Sequence, residues 1–364
     1  MADEAQFKTV EVRKDDWSDT RLVEETFSGD MAENQVLIRV KKFALTANNI
    51  SYCAAGDFLG YWGFFPAEGN YGRVPTMGYG EVIVTNHPEI RAGELLWGFF
   101  PMGNYLLVEA GNVSNGGFND VSGHRAAYSP LYSGFTRISN NPGHDPARED
   151  QDLLLRGLYL TSWLVEDFMF ESNTFGAEAY LITSASSKTS IALGYLTRER
   201  GDKKSIGITS EENRAFCENL GCYGAIISYD ELGSLDASQP VVMVDMAGNT
   251  SVVRSLHEHF GDNMKFSCKV GATHIDETDG DTTDLPGATP EFFFAPGQAQ
   301  KRNEEWGAGE VEKRVGSSLC NFQAFSDEWL NITLGEGPVA IKDTFLKVLA
   351  GKAAPADGFI LSME

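Results

Sequence analysis

The sequence predicts an α/β protein of two domains: a β-rich, barrel-like first part, then a doubly wound parallel sheet. Three observations predict it. Residues 179–230 alternate strand, helix, strand, helix, strand. Residues 1–150 are rich in glycine, aromatics and short alternating runs. Residues 359–363 form a last apolar strand that can return to the first domain. A chain of 364 residues is long enough for two sizeable cores.

In order, residues 34–43 (NQVLIRVKKF) alternate apolar and polar as a half-buried strand does, and 79–86, 94–100 and 105–109 read the same way. Residues 140–152 are polar and contain Pro and Gly, a boundary signal; 153–170 is an apolar, aromatic helix. Residues 179–183 are a short apolar strand, and 184–188 (SASSK) are small and polar except for the lysine. Ile191, Leu193, Tyr195 and Leu196 then mark a helix that ends before Gly201. Strand 205–209 leads to Ser210, which can cap a helix running to Leu220, and strand 225–228 follows. Residues 241–245 (VVMVD) read as a buried parallel strand, 251–260 as a helix and 264–271 as another strand. Residues 275–290 form an acidic loop and 291–296 (EFFFAP) an apolar strand. Residues 298–307 (QAQKRNEEWG) place Lys301 and Arg302 among polar neighbours, in a solvated loop or, alternatively, within reach of a phosphate, and 343–350 is a short helix.

Composition narrows the partners. The net charge is −23, from 52 acidic against 29 basic residues. That excludes phosphate backbones and anionic membranes as natural partners. No apolar window is long enough to span a bilayer and no signal-peptide core opens the chain, so a cytoplasmic protein is expected. The five cysteines form no C-x-x-C pair. His257 and His259, two apart on one helix, do not share a face. No metal site is expected.

The turn at 184–189 follows the first strand of the doubly wound unit, where dinucleotide folds place G-x-G-x-x-G. A pyrophosphate there needs backbone N–H groups and a helix N-terminus. Ser184, Ser186, Ser187 and Thr189 are small enough and add hydroxyl donors, and Lys188 adds charge. The competing reading is a serine-rich cap with no ligand. The second strand ends at Thr209 and Ser210 without a carboxylate, and Asn213 and Arg214 follow one turn later. That pattern suits the 2′-phosphate of NADPH, unless Arg214 is an ordinary solvated residue. Glu211 and Glu212 suit the first helical turn and are expected to face solvent.

With these pieces placed, the chain resembles the medium-chain dehydrogenase/reductase superfamily. The resemblance rests on NQVLIRVKKFALTANNISYCAAGDF, GYGEVIVTNHPEIRAGELLWGFFPMGNYLLV, the 179–230 unit, VDMAGN, KVGATH and FLKVLAGKAAPADGFILSM. It is nearest the zinc-independent quinone-oxidoreductase-like branch, or a bacterial family related to it. It implies a GroES-like β-barrel domain at 1–150, a Rossmann domain at 151–318 and a return to the first domain at 319–364. It also implies a cofactor contact from Tyr229, contacts to the carboxamide or ribose from Gly271, Ala272 and Thr273, and a homodimer joined through sheet edges. The zinc ligands of related alcohol dehydrogenases fall near Ala47 or Asn48 and near Thr76 and Met77, none of which suits zinc.

Without zinc, protein donors must hold the accepting oxygen. Tyr52 falls about where the quinone-reductase branch has a tyrosine, and Asn48 and Tyr79 are the other candidates. Alternatively, Tyr52 packs in the barrel wall and Asn48 caps a turn. The loop 58–65 (FLGYWGFF) either packs on its own domain or lines a pocket for a bulky apolar substrate. The expected function is NADPH-dependent hydride transfer to an enone, quinone or other carbonyl. The alternatives are a non-catalytic nucleotide or small-molecule binding protein on the same fold, and a lyase or isomerase using bound cofactor.

Overall fold

In a computed structural model the described residues are 5–141, 143–246, 248–270 and 284–364. The chain forms two compact units, Met1–Leu154 with Leu330–Glu364, and Leu155–Trp329. The change of unit falls inside one helix, α3 (Glu149–Glu171).

The first unit begins with an antiparallel hairpin, β1 (Ala5–Arg13) and β2 (Asp16–Phe27). Then come β3 (Gln35–Leu45), helix α1 (Ala47–Ala54), β4 (Tyr71–Gly72), β5 (Pro75–Thr85), β6 (Leu95–Pro101) and β7 (Tyr105–Gly111). β8 (Gly117–Asp120), the single turn α2 (Pro130–Ser133) and β9 (Gly134–Arg137) complete its N-terminal part. Strands β3, β5, β6, β9, β8 and β7 pair in that order, and β7 returns to β3. Six strands therefore close a barrel, which removes its edges. Alternation aims Val36, Ile38 and Val40 inward against Phe100 and Phe135. Gly78 and Gly80 on β5 leave room for the Phe100 ring, since a Cβ at either would stand within 3 Å of it.

The second unit is one parallel sheet: β10 (Ala179–Ile182), β11 (Lys204–Thr209), β12 (Ala225–Ser228), β13 (Val241–Asp245), β14 (Met264–Lys269) and β15 (Pro290–Phe292). Its order, β12-β11-β10-β13-β14-β15, reverses between β10 and β13. Helices α4 (Lys188–Arg200), α5 (Glu211–Leu220) and α6 (Thr250–Phe260) connect the strands. The GroES-like barrel and the doubly wound Rossmann sheet are thus both present.

The C-terminal part differs more from expectation. Residues 291–296 do not continue as a strand: β15 stops at Phe292 and helix α7 (Ala295–Trp306) begins. Phe293 packs inward, while Phe292 and Phe294 are about half exposed, 51% and 53%. Lys301 and Arg302 lie on α7, not in a solvated loop. Arg302 is buried against Asp167 at 2.6 Å, and Gln298 donates to the same carboxylate at 2.8 Å. Burial by polar pairing hides this helix from a hydrophobic pattern. Helix α8 (Glu310–Ser326) follows in the second unit, with Val311, Val315, Leu319 and Phe322 on its buried face. Strand β16 (Asn331–Glu336), helix α9 (Gly337–Leu349) and β17 (Asp357–Ser362) then belong to the first unit, where β17 pairs with β3. Among the described residues no helix is long and apolar enough to cross a membrane.

Candidate functional site

Open α/β sheets bind ligands beyond the strand C-termini where the strand order reverses, here between β10 and β13. Thr183 follows β10 and Asp245 ends β13. The Thr183 hydroxyl donates to Asp245 at 2.7 Å and accepts from the Met246 amide at 3.0 Å. The other Asp245 oxygen accepts from the Gly248 amide at 3.1 Å. This buried network ties the ends of β10 and β13 together, and sequence reading missed it.

The turn 183–189 does with serines part of what glycines do elsewhere. Ser184 takes a left-handed backbone, φ 48°, costing on the order of 1–2 kcal/mol for a residue with a Cβ. Ser187 caps α4, accepting from the Ser190 amide at 3.1 Å and donating to the Ser190 hydroxyl at 2.8 Å. Its side chain is therefore committed to the helix. Ser186 accepts from the Asn213 amide at 3.3 Å and keeps its own proton. Among the described residues the backbone N–H groups of Ser186 and Thr189 have no partner, so they can face an anion at the N-terminus of α4. Lys188 is the first residue of that helix.

Tyr223 holds this turn from behind. Its phenol donates to the Ala185 carbonyl at 2.8 Å. A Cβ on Gly194 would stand 2.5 Å from its ring, and one on Gly207 3.1 Å away. These glycines give the close helix–strand approach that the last glycine of a dinucleotide motif usually provides. Their spacing was the available signal.

At the end of β11 the candidates divide. Thr209 is buried and its hydroxyl bonds the Cys217 thiol, whose pKa is pushed up to about 11 chiefly by burial. Ser210 caps α5 with its backbone and makes no side-chain cap bond, so its hydroxyl remains available. Glu211 and Glu212 are exposed. Arg214 is held by Glu231 at 2.6 Å, Glu211 at 3.1 Å and Glu218 at 3.3 Å. The Arg214 contact, with the Ser228 amide, draws the Glu231 carboxyl down to about 2. Tyr229 follows β12 and packs partly against the sheet core. Gly271, Ala272 and Thr273 lie outside the described residues.

In the barrel unit the sequence TANNIS forms the start of α1. Thr46 and Asn49 close a reciprocal capping box, and the Asn49 amide donates to the Pro75 carbonyl at 2.9 Å. Asn48, one residue earlier, is half-buried and hydrogen-bonds the Tyr52 phenol, one helical turn on. The Tyr52 ring lies 4.6 Å from Tyr61 and 6.0 Å from Phe99. Burial pushes the Tyr52 and Tyr61 pKa values well up, so both stay protonated, and Tyr61 donates to the Tyr132 phenol at 3.4 Å. Tyr79 does not join them. It points away from the barrel core and donates to Asp152 at 2.8 Å, with His144 beside its ring. Thr76 is buried with its hydroxyl on the Phe100 carbonyl, and Cys53 is buried with its thiol on the Asn49 carbonyl. Among the described residues no three His, Cys, Asp or Glu side chains converge as metal ligands.

The aromatic loop packs on its own domain. Tyr61, Trp62, Phe64 and Phe65 are buried, and only Phe58 stands out, 78% exposed. Arg125, fully buried, locks it. Its guanidinium stacks over Phe64 and Phe65 at 4.8 and 5.0 Å and donates to the carbonyls of Phe64 and Tyr132. Burial lowers its pKa to about 10 despite Asp120 at 3.8 Å. Sequence alone marks neither Arg125 nor Tyr132, because the segment around them has no clear period.

Comparison with solved structures agrees with this architecture. CurA from Vibrio vulnificus in complex with NADPH is 12% identical, covers 94% of each chain and superposes with a TM-score of 0.58. The quinone oxidoreductase from Coxiella burnetii is 14% identical, with 99% of this chain and 100% of that one covered, TM-score 0.57. The Etr1p/NADP/crotonyl-CoA complex is 13% identical over 98% and 100%, TM-score 0.60. At such identities the likeness establishes the fold alone, a GroES-like barrel joined to a Rossmann sheet. No curated protein matches the sequence. Residues 43–354 match the model of a family described as protein of unknown function, DUF2855, and the chain belongs to that family.

Proposed function

We propose that the protein is an NADPH-dependent, zinc-independent oxidoreductase that transfers hydride to an enone, quinone or other carbonyl compound. The observation that carries this reading is the turn 183–189. It leaves the Ser186 and Thr189 amides at a helix N-terminus, beside the point where the strand order reverses. That is where a pyrophosphate binds in this architecture. The titles of the similar structures support it: one holds NADPH and another NADP with crotonyl-CoA.

The residues fit such a cofactor with adjustments. Ser186, Thr189, Lys188 and the α4 N-terminus face the diphosphate, with Ser184 shaping the bend. Ser187 and Thr209 serve structure through their hydroxyls. Ser210, Asn213 and Arg214 face the 2′-phosphate, which competes with Glu211 and Glu218 for the arginine. Tyr229, Gly271, Ala272 and Thr273 complete the assignment by resemblance. Bound NADPH supplies the hydride. In the barrel unit Asn48 and Tyr52 hold the acceptor's oxygen and stabilise the charge that develops there. Tyr79, already bonded to Asp152, has a structural role. Zinc has no place in this reading: Asn48 and Thr76 stand where ligands would be, and the Thr76 hydroxyl is engaged. A homodimer through the β15 edge is supported by exposed Phe292 and Phe294.

A second reading, a binding protein whose nucleotide site has decayed, is favoured by the three carboxylates around Arg214. A thermal-shift titration separates them. The oxidoreductase predicts stabilisation by about 2.7 kcal/mol at a hundredfold excess of NADPH over its Kd, with NADH much weaker. No shift with either nucleotide up to millimolar concentration removes the first reading.

A further inference from the structure

We infer that Tyr132 is a second donor to the acceptor's oxygen, working beside Tyr52, and that Tyr61 is its positioning residue. The inference rests on the proposed reading that the barrel unit binds an electron acceptor.

Two phenols flank Tyr61 in this cluster. The Tyr52 ring lies 4.6 Å from Tyr61 and 6.0 Å from Phe99, and the Tyr132 ring lies 5.9 Å from each of them. Tyr132 accepts a hydrogen bond from the Tyr61 phenol at 3.4 Å and so keeps its own proton. A hydroxyl that already accepts a hydrogen bond is polarised into a better donor. Two phenols packed against the same pair of rings suit an oxygen that gains negative charge, as a conjugated carbonyl does when hydride adds. Burial keeps Tyr52, Tyr61 and Tyr132 in the protonated form that this needs.

Tyr61 has a different part. Its proton is committed to Tyr132, so it acts through that neighbour. Tyr132 is also the more open of the two donors: it is half-buried, whereas Tyr52 is 8% exposed. It is nevertheless rigid. Its ring meets Tyr61, Phe64 and Phe99 at 5.9, 5.6 and 5.9 Å. Its carbonyl is held by Arg125 at 2.7 Å. The Tyr128 phenol ties the same segment to the Gly60 carbonyl at 2.5 Å. A donor fixed on both sides pays no reorganisation when charge develops, which is what a site of this kind requires.

The test uses the full chain saturated with NADP+, so that no turnover occurs, and menadione as the probe, followed by quenching of intrinsic fluorescence. Tyr132→Phe is expected to weaken menadione about fivefold, the size of one net hydrogen bond. Tyr61→Phe is expected to weaken it about twofold, and the double variant no more than Tyr132→Phe alone, because coupled residues do not add. Tyr71→Phe, on the remote N-terminal sheet, serves as control. In NADPH-driven reduction of menadione, Tyr132→Phe lowers kcat by about a hundredfold, as loss of one oxyanion donor does. Equal menadione affinity in wild type and Tyr132→Phe overturns the inference, as does additivity in the double variant. A normal NADP+ shift with no menadione binding also overturns it but leaves the cofactor reading standing. Menadione binding that responds to Tyr132→Phe without any NADP+ shift supports this inference and removes the reductase.

Discussion

The turn 183–189 and the phenol cluster are built on opposite principles. The turn is local. Its amides belong to residues 184–189, its tether comes from Tyr223, and the donors aimed outward are backbone groups. The phenol cluster is assembled from α1, the aromatic loop and the α2 segment, and everything it offers is a side chain. A backbone site tolerates exchange of its residues as long as they stay small. That explains how serines stand where glycines are usual. A side-chain site depends on packing, so its weak points lie in residues that never meet a ligand.

The sharpest way to break this contrast is to damage packing in one region and look for an effect in the other. A Cβ on Gly72 would stand 2.2 Å from the Trp62 ring, which is part of the barrel core. Gly72→Ala is expected to destabilise the protein by about 2–3 kcal/mol, an overpacking cost, seen as a lower urea midpoint. NADPH affinity of the folded protein should stay unchanged; a matching loss of affinity would show that the two regions are not separable in this way.

The next effect is smaller and lies in the second unit. Arg214→Ala is expected to weaken NADPH about tenfold, or 1.4 kcal/mol, and to leave NADH unaffected. Isothermal titration checks it. Unchanged NADPH affinity would mean that Glu211, Glu218 and Glu231 retain the arginine and that Ser210 and Asn213 carry the 2′-phosphate alone.

The smallest effect is a pH dependence. His257 is buried in the neutral form, with one ring nitrogen on the Pro286 carbonyl and the other on the Ser267 hydroxyl, both at 2.9 Å. Burial lowers its pKa below the usual 6.5, partly offset by the Pro286 bond. The unfolded chain therefore binds this proton first. The stability it confers is complete above pH 6.5 and is lost as pH falls toward the folded value. Chemical denaturation between pH 5 and 8 should show stability falling on the acid side, with a shallower fall in His257→Gln. An identical slope in the variant would assign the dependence to other groups.

How much of this was legible depends on how each element is stabilised. The strands of the doubly wound sheet could be read because continuous apolar runs such as VVMVD have one use, burial on both faces. Helix α8 was not read, although Val311, Val315, Leu319 and Phe322 repeat at helical spacing, and the expected return to the first domain at 319 falls inside it. Helix α7 was not readable, because Arg302 and Gln298 are buried by pairing with Asp167 instead of by apolar contact. In the site, the small residues of the turn were visible, but the division of labour among them was not. Ser187 and Thr209 look like ligand donors in sequence and are committed to the helix cap and to Cys217.

The sequence by itself determined the strand–helix order from residue 179 to residue 260 and the absence of a glycine-rich turn, because these follow from local period and residue size. Tertiary structure alone decided which hydroxyls remain available. A hydrogen bond is exclusive, and a donor's partner may lie forty or seventy residues away, as Tyr223 and Ala185 or Tyr61 and Tyr132 do.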